Sequence, residues 1–291
     1  MFKKIKYLSG PVFLVSIILI SFSGCMKMAI RMSPGLFENM SLSIFEECDS
    51  DLAESAIPAN LKILEGILKN DPDNPELLRL LSEGFCGYSL LFVDDDDNRG
   101  RASELYYRAS LYGLRAVGYY SAPEGITREY LDRIFKRLDN NSINALLWAT
   151  VSWSSWINLN LDKPAAIAQL GMVQLCIDKL TKTNPDLFYG LPYLLKAVSL
   201  SARSPMLGGD YKQSREYFDK SLLSGKRNLF LVQYLYARYY CVGVQDKAMF
   251  ESLLTEIIDK KDGYPDDLCL LNTVIRKKAE TLLNNVDDYF I

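Results

Sequence analysis

The chain of 291 residues carries 36 acidic and 33 basic side chains, net −3 at pH 7, with 49% apolar and 24% charged residues. That is the composition of a soluble globular protein long enough for one large domain or one repeat array. Histidine is absent, which removes the commonest general base and metal ligand together, and the lack of a basic stripe sets nucleic acid aside as a partner.

The first elements form an address. Lys3, Lys4 and Lys6 make a positive start, and Val12 to Ile20 is an apolar run too short to serve as a permanent membrane span. Phe22-Ser23-Gly24-Cys25 resembles a bacterial lipobox, although Leu is usual where Phe22 stands. The reading is a signal peptide over residues 1–24. Cys25 then becomes the lipid-attachment residue, anchoring the chain to a membrane without spanning it. An ordinary secretory signal with an incidental cysteine is the alternative. Met26 follows Cys25, with no Asp to favour inner-membrane retention, so the expected place is the periplasm at the outer membrane. Without its leader the chain keeps 30 basic against 36 acidic residues, net −6.

Residues 25–51 read as a tether and first helix, with a break at Ser33-Pro34-Gly35, and residues 52–291 as the main helical domain. Ala59 to Asn70 is a short amphipathic helix, stopped by Asp71-Pro72-Asp73-Asn74-Pro75. Pro75 suits the first turn of the next helix, to about Val93. Arg101 to Val117 follows, with small residues at Ala109, Gly113 and Ala116. Between them, Asp94-Asp95-Asp96-Asp97-Asn98-Arg99-Gly100 imitates a calcium loop, but its Gly is one place late and its twelfth ligand falls on Leu105. A solvated turn with a capping Asp is the better reading, and no metal site is expected.

Helices are then predicted at 123–138, 145–159 and 162–183, the last ending at Asn184-Pro185. Trp148, Trp153 and Trp156 fall within an arc of about 140° on one helix face. That face reads as core packing or as the lining of a pocket. Leu187 to Ser204 leads into the clearest punctuation in the chain. Pro205 ends that helix, Gly208 and Gly209 supply a turn open to positive φ, and Asp210 caps the next helix with Gln213 placed for a capping box. Ser214, Phe218 and Ser221 then repeat the small–aromatic–small spacing of a tetratricopeptide (TPR) hairpin. Three further helices (229–242, 246–259, 266–283) complete the array, and 284–291 reads as a tail. Of the five cysteines after Cys25, no two are spaced as a metal pair. Buried thiols are preferred over disulfides.

The fold class is therefore all-α, about a dozen helices in irregular TPR-like hairpins. From Leu64 to Gly113, Met172 and Phe218 the steps are 49, 59 and 46 residues, against a standard period of about 34. An array of such lengthened hairpins is able to close around a pore instead of forming an open solenoid.

The lipoprotein leader, the Trp helix (145–157) and Ser-Pro-Met-Leu-Gly-Gly-Asp with Tyr-Phe-Asp-Lys-Ser-Leu behind it (204–222) resemble the TatT family. These are T components of some tripartite ATP-independent periplasmic (TRAP) transporters. Leu207, Gly208, Gly209, Asp210 and Phe218 carry the most specific part. Ser214 and Ser221 stand where the family tends to have Ala. The resemblance implies a non-enzymatic periplasmic lipoprotein without cofactor. It implies a homotrimer with a pore through each subunit, which engages the solute-binding receptor (the TRAP P component) and passes a hydrophobic small-molecule ligand. Trp148, Trp153, Trp156, Tyr189 and Tyr193 are the expected lining residues. The alternatives are a generic TPR scaffold of the cell envelope with no ligand, and a carboxylate-dependent hydrolase, for which no acids converge.

Overall fold

The computed structural model describes residues 27–290 apart from 29, 33 and 96. The predicted leader and Cys25 lie outside the described residues, as do Ser33 of the expected break and Asp96 of the acid run. Among the described residues the protein is all-helical, with twelve helices and no strand.

Helical residues at 27, 28, 30 and 31 precede α1 (Pro34–Phe45), and α2 (Ser50–Leu68) follows it. The latter begins earlier than expected and runs through Pro58, across the anticipated boundary at residue 52. Pro58 costs one amide bond and about 3 kcal/mol inside a helix. The buried stripe Ala53, Ile57, Leu61, Leu64 and Leu68 continues unbroken on both sides of it, and that packing outweighs the loss. Asp49 caps α2 by accepting from the amides of Asp51 and Leu52.

Next come α3 (Pro75–Tyr88), extended by a π-helical turn over Ser89–Val93, and α4 (Arg99–Ala116). Asn74 caps α3 by accepting from the amides of Glu76 and Leu77, with Pro75 at its first turn. Gly113 lets α4 approach closely: a Cβ there would lie 2.7 Å from both Ala149 Cβ and Ser82 Oγ. The acid run differs in part from its reading. Asp95 braces the turn by accepting from the Asn98 amide, but no side chain caps α4. Asp94 turns inward and accepts from the Tyr106 hydroxyl at 2.9 Å.

A 3-10 turn at Pro123–Gly125 precedes α5 (Arg128–Arg137), so the helix expected from residue 123 starts five residues later, behind Thr127 as cap. Then follow α6 (Asn140–Leu159), α7 (Leu170–Thr183), α8 (Leu187–Ser201) and α9 (Tyr211–Ser224). The next helix, α10, starts as Phe230–Leu235 and continues through a π-helical Tyr236–Cys241 and Val242–Val244. The array ends with α11 (Lys247–Asp259) and α12 (Cys269–Asn284).

The helices pair as α4 on α6 and α8 on α9, and α12 packs back on α1, α2 and the end of α3. The two ends of the array therefore meet. A Cys48–Cys269 disulfide, 221 residues apart in sequence, joins them covalently. This corrects the preference for free thiols, which holds for buried Cys86, Cys176 and Cys241. Burial pushes each of those three thiols up to about 12, so they are unreactive apolar fillers. A closed loop of this length removes about 5 kcal/mol of unfolded-chain entropy in the simplest treatment.

One partly buried ionic cluster ties α1 to α3, with Arg79 and Glu83 buried and Glu38 exposed. Arg79 reaches Glu38 and Glu76 at 2.6 Å and Glu83 at 2.7 Å. One guanidinium serves three carboxylates, and burial raises Glu83 from 4.5 to about 7 in spite of Arg79. The folded state thus holds this proton more tightly than the unfolded chain. Its stabilising contribution is complete below about 4.5 and is lost as pH rises through about 7. Asp71, lowered to about 2 by hydrogen bonding from Arg31, acts in the separate acid window. We expect Glu83→Gln to flatten the fall in melting temperature between pH 5 and pH 8. Melting curves of variant and unaltered protein that stay parallel over that range would contradict this assignment.

Candidate functional site

A cavity of about 170 Å³ lies where α3, α4, α6, α8, α10 and α12 converge. It shares Asp94, Tyr234, Arg238, Tyr239 and Lys278 with a wider vestibule of about 670 Å³. Three local features of the chain make this space.

The first is the pair of π-helical turns. Each closes its hydrogen bonds one residue further along the chain than an α-helix does, which widens the helix, and such turns concentrate at functional sites. Ser89–Val93 brings Leu90 and Asp94 to the wall, and Tyr236–Cys241 brings Arg238 and Tyr239. Lys278 braces this segment: its Nζ donates to Leu90 O, within the turn, at 3.0 Å and to Asp94 O, just beyond it, at 3.3 Å.

The second is the start of α8. Phe188, Tyr189 and Gly190 take φ of 42°, 57° and 85°, a left-handed turn ahead of the regular helix. Pro192 consequently falls in the first regular turn, where its missing N–H costs little. Two contacts hold the turn: Tyr189 donates to Asp267 Oδ1 at 2.8 Å, and Ser221 Oγ donates to Gly190 O at 3.0 Å. Leu191, Leu194, Leu195 and Val198 then face the cavity.

The third is the turn after α8. Gly208 takes φ 85°. At Gly209 a Cβ would lie 2.0 Å from the Arg203 carbonyl oxygen, so the two glycines serve different needs. The strap is completed by Gly209 N to Ser204 O at 3.0 Å and Asp210 N to Leu200 O at 2.9 Å. Asp210 caps α9 through the Gln213 amide, but the capping box is not made. Gln213 Nε2 donates to the Asp210 carboxylate, while the Asp210 amide is engaged with Leu200. Leu207 is largely exposed and Phe218 fully buried. The turn thus fixes the backbone of Arg203, whose side chain lines the cavity.

The predicted lining residues are placed elsewhere. Trp153 is 1% exposed and donates from Nε1 to Gln169 Oε1 at 2.6 Å. Trp148 packs edge-on to Phe188 and Trp156 against Tyr107. Tyr189 is held by Asp267, and Tyr193 packs near Tyr217. None of the five lines this cavity. Val151, Ser154, Ser155, Asn158 and Leu159 do so instead; at about 100° per residue Ser154 and Asn158 point away from the tryptophans, while Val151, Ser155 and Leu159 flank Trp148. Large indoles fill the space between helices, where they remove most apolar area from water, and the smaller side chains leave a void.

Sequence reasoning missed Arg203, Arg238 and Lys278. The one available signal was a basic side chain inside or ending an otherwise apolar or Tyr-rich helix. Burial is the first cause lowering both Arg203 and Lys278 from their ordinary values. Among the described residues no carboxylate pairs with any of the three. Among the same residues no group of His, Cys, Asp and Glu is arranged to hold a metal ion, and no helix is long and apolar enough to cross a membrane.

Fold and cavity together define an all-α hairpin-repeat protein built around an internal, mainly apolar chamber with a polar mouth. Residues 46–290 match the family described as TRAP transporter T-component, and the chain belongs to that family. A comparison with curated proteins returned no match. The family is a transport component and not a known enzyme family, so the chain is a component of a TRAP-type transport system.

Proposed function

We propose that the protein is a periplasmic lipoprotein held at the outer membrane through Cys25. In this reading it binds the solute-receptor component of its transport system and passes a small apolar-bodied ligand through the cavity and vestibule. It works as a homotrimer, as the family resemblance implies. The observation that carries the ligand role is that the inner cavity and the vestibule lie side by side, with Arg238 and Lys278 in the lining of both. The apolar part of the wall gains about 25 cal/mol for each Å² of ligand surface it takes from water.

Two experiments test this. Cys25→Ala is expected to abolish acylation and release the protein from the membrane fraction; unchanged partition into detergent would remove the anchor. Val198→Trp should fill the cavity with an indole. We expect that variant to keep its affinity for the purified solute receptor while losing ligand transfer to it. Transfer unaffected by the plug would leave a receptor-binding scaffold, and no complex with the receptor would overturn the assignment itself.

A further inference from the structure

Residues 27–45 carry three charged side chains, Lys27, Arg31 and Glu38. Each is paired with the body of the protein. Lys27 Nζ stands 3.0 Å and Arg31 Nε 2.6 Å from the Asp71 carboxylate, and Glu38 lies 2.6 Å from Arg79. Outside, the same stretch is apolar: Met28 is 63% exposed, Met32 72%, Leu36 58% and Leu42 40%, with uncharged Asn39 and Ser43 exposed beside them. The Met32 amide donates to Met28 O at 3.0 Å, so the two methionines stand one turn apart, opposite buried Ile30 at 100° per residue. A surface helix ordinarily shows its charges to water and its apolar residues to the core. Exposed apolar side chains scattered singly need no explanation, but here they are grouped and every charge among them is engaged elsewhere.

Chain length says what meets this face. Cys25, the residue assigned to the lipid, precedes Met28 by three residues. Even a fully extended chain keeps the two within about 10 Å of each other, and Met32 lies one helical pitch of about 5.4 Å further on. An interfacial helix sinks its apolar side about 5–10 Å into the boundary of head groups and acyl chains. An anchor this short therefore holds the methionines at the lipid surface. The acids resume at Glu46, Glu47 and Asp49, which an anionic surface would repel, so the uncharged stretch ends where α1 ends.

We propose that Met28, Met32, Leu36 and Leu42 seat on the phospholipid surface beside the anchor. The inference rests on Cys25 being acylated. The ion pairs to Asp71 and Arg79 serve two ends: they remove charge from the lipid-facing side, and they fasten the segment to the start of α3 and to α3 itself. The protein body then rides on the membrane in one orientation instead of swinging on a loose tether.

The acylated chain, its lipid verified by intact mass, is reconstituted in vesicles of phosphatidylethanolamine and phosphatidylglycerol. An environment-sensitive fluorophore is attached at Met32→Cys or, as control, at Leu223→Cys, exposed on α9, which packs on α8 and α10. Buried Cys86, Cys176 and Cys241 do not compete for the label. Lipids brominated in their acyl chains are expected to quench the label at position 32 several-fold more strongly than at position 223. Adding Met28→Glu and Leu36→Glu should bring position 32 down towards the control. All these positions are exposed, and the comparison of the two labels needs only one conservative change in the segment. Equal quenching at the two positions of an acylated chain, or quenching at position 32 indifferent to the added charges, overturns the seated face and leaves the anchor standing. Protection of position 32 from iodide without quenching by lipid overturns it too and gives the face to a second copy of the chain. A mass showing no acyl group overturns the anchor and the seated face together.

Discussion

Phe218→Ala is expected to destabilise the protein by about 3–5 kcal/mol, with a fall in melting temperature on the order of 10 °C. Phe218 is fully buried in α9 and stacks on Tyr236 with ring centroids 4.3 Å apart and planes 7° apart. Ser214 and Ser221 flank it, and their hydroxyls donate to Ala197 O at 2.8 Å and Gly190 O at 3.0 Å. Those bonds draw α9 tightly onto α8, so the structure has little freedom to collapse into the space a missing ring leaves. Tyr236 belongs to the π turn that carries Arg238, and the loss should reach the cavity wall as well. Tyr217, half-buried and only loosely against Tyr193, is the control, and its alanine variant should cost much less. Urea denaturation of both variants checks the ranking; a loss near 1 kcal/mol at Phe218 would show that α9 packs more loosely than described.

Gly209→Ala is expected to cost about 3 kcal/mol, the upper end of overpacking, and Gly208→Ala about 1 kcal/mol. The order follows from what each new Cβ meets. At Gly208 there is open space and only an unfavourable positive φ, whereas at Gly209 the obstacle is the Arg203 carbonyl, backbone that cannot swing aside. Relief requires Arg203 or the following turn to move, so affinity for a cavity ligand should fall with stability. Denaturant midpoints and ligand titration of the two variants measure both effects. A Gly208→Ala variant at least as unstable as Gly209→Ala would contradict this account of the turn.

The two glycines illustrate how far local pattern reaches. That a turn stands between α8 and α9 is written in Pro205, Gly208, Gly209 and Asp210, because proline, glycine and a capping acid act on their own few neighbours. The division of labour between the glycines is not, because it depends on a carbonyl six residues back. Pro58 is the opposite case. Read locally it ends a helix, and only the stripe from Ala53 to Leu68 packing on α3 makes that helix continuous.

The sequence alone determined the class of fold, the hairpin spacing and the family resemblance. Each rests on short-range chemistry: helix periodicity, caps, and small residues four or seven apart. Tertiary structure alone decided which side of α6 faces the void. Three tryptophans and five smaller residues share that helix, and its neighbours, not its own pattern, assign the tryptophans to packing and Val151, Ser154, Ser155, Asn158 and Leu159 to the cavity. Long-range geometry also joined Cys48 to Cys269 across 221 residues and brought Arg203, Arg238 and Lys278 to one chamber. No spacing rule connects positions so far apart, since what brings them together is the packing of separate helices whose own sequences specify only their buried faces.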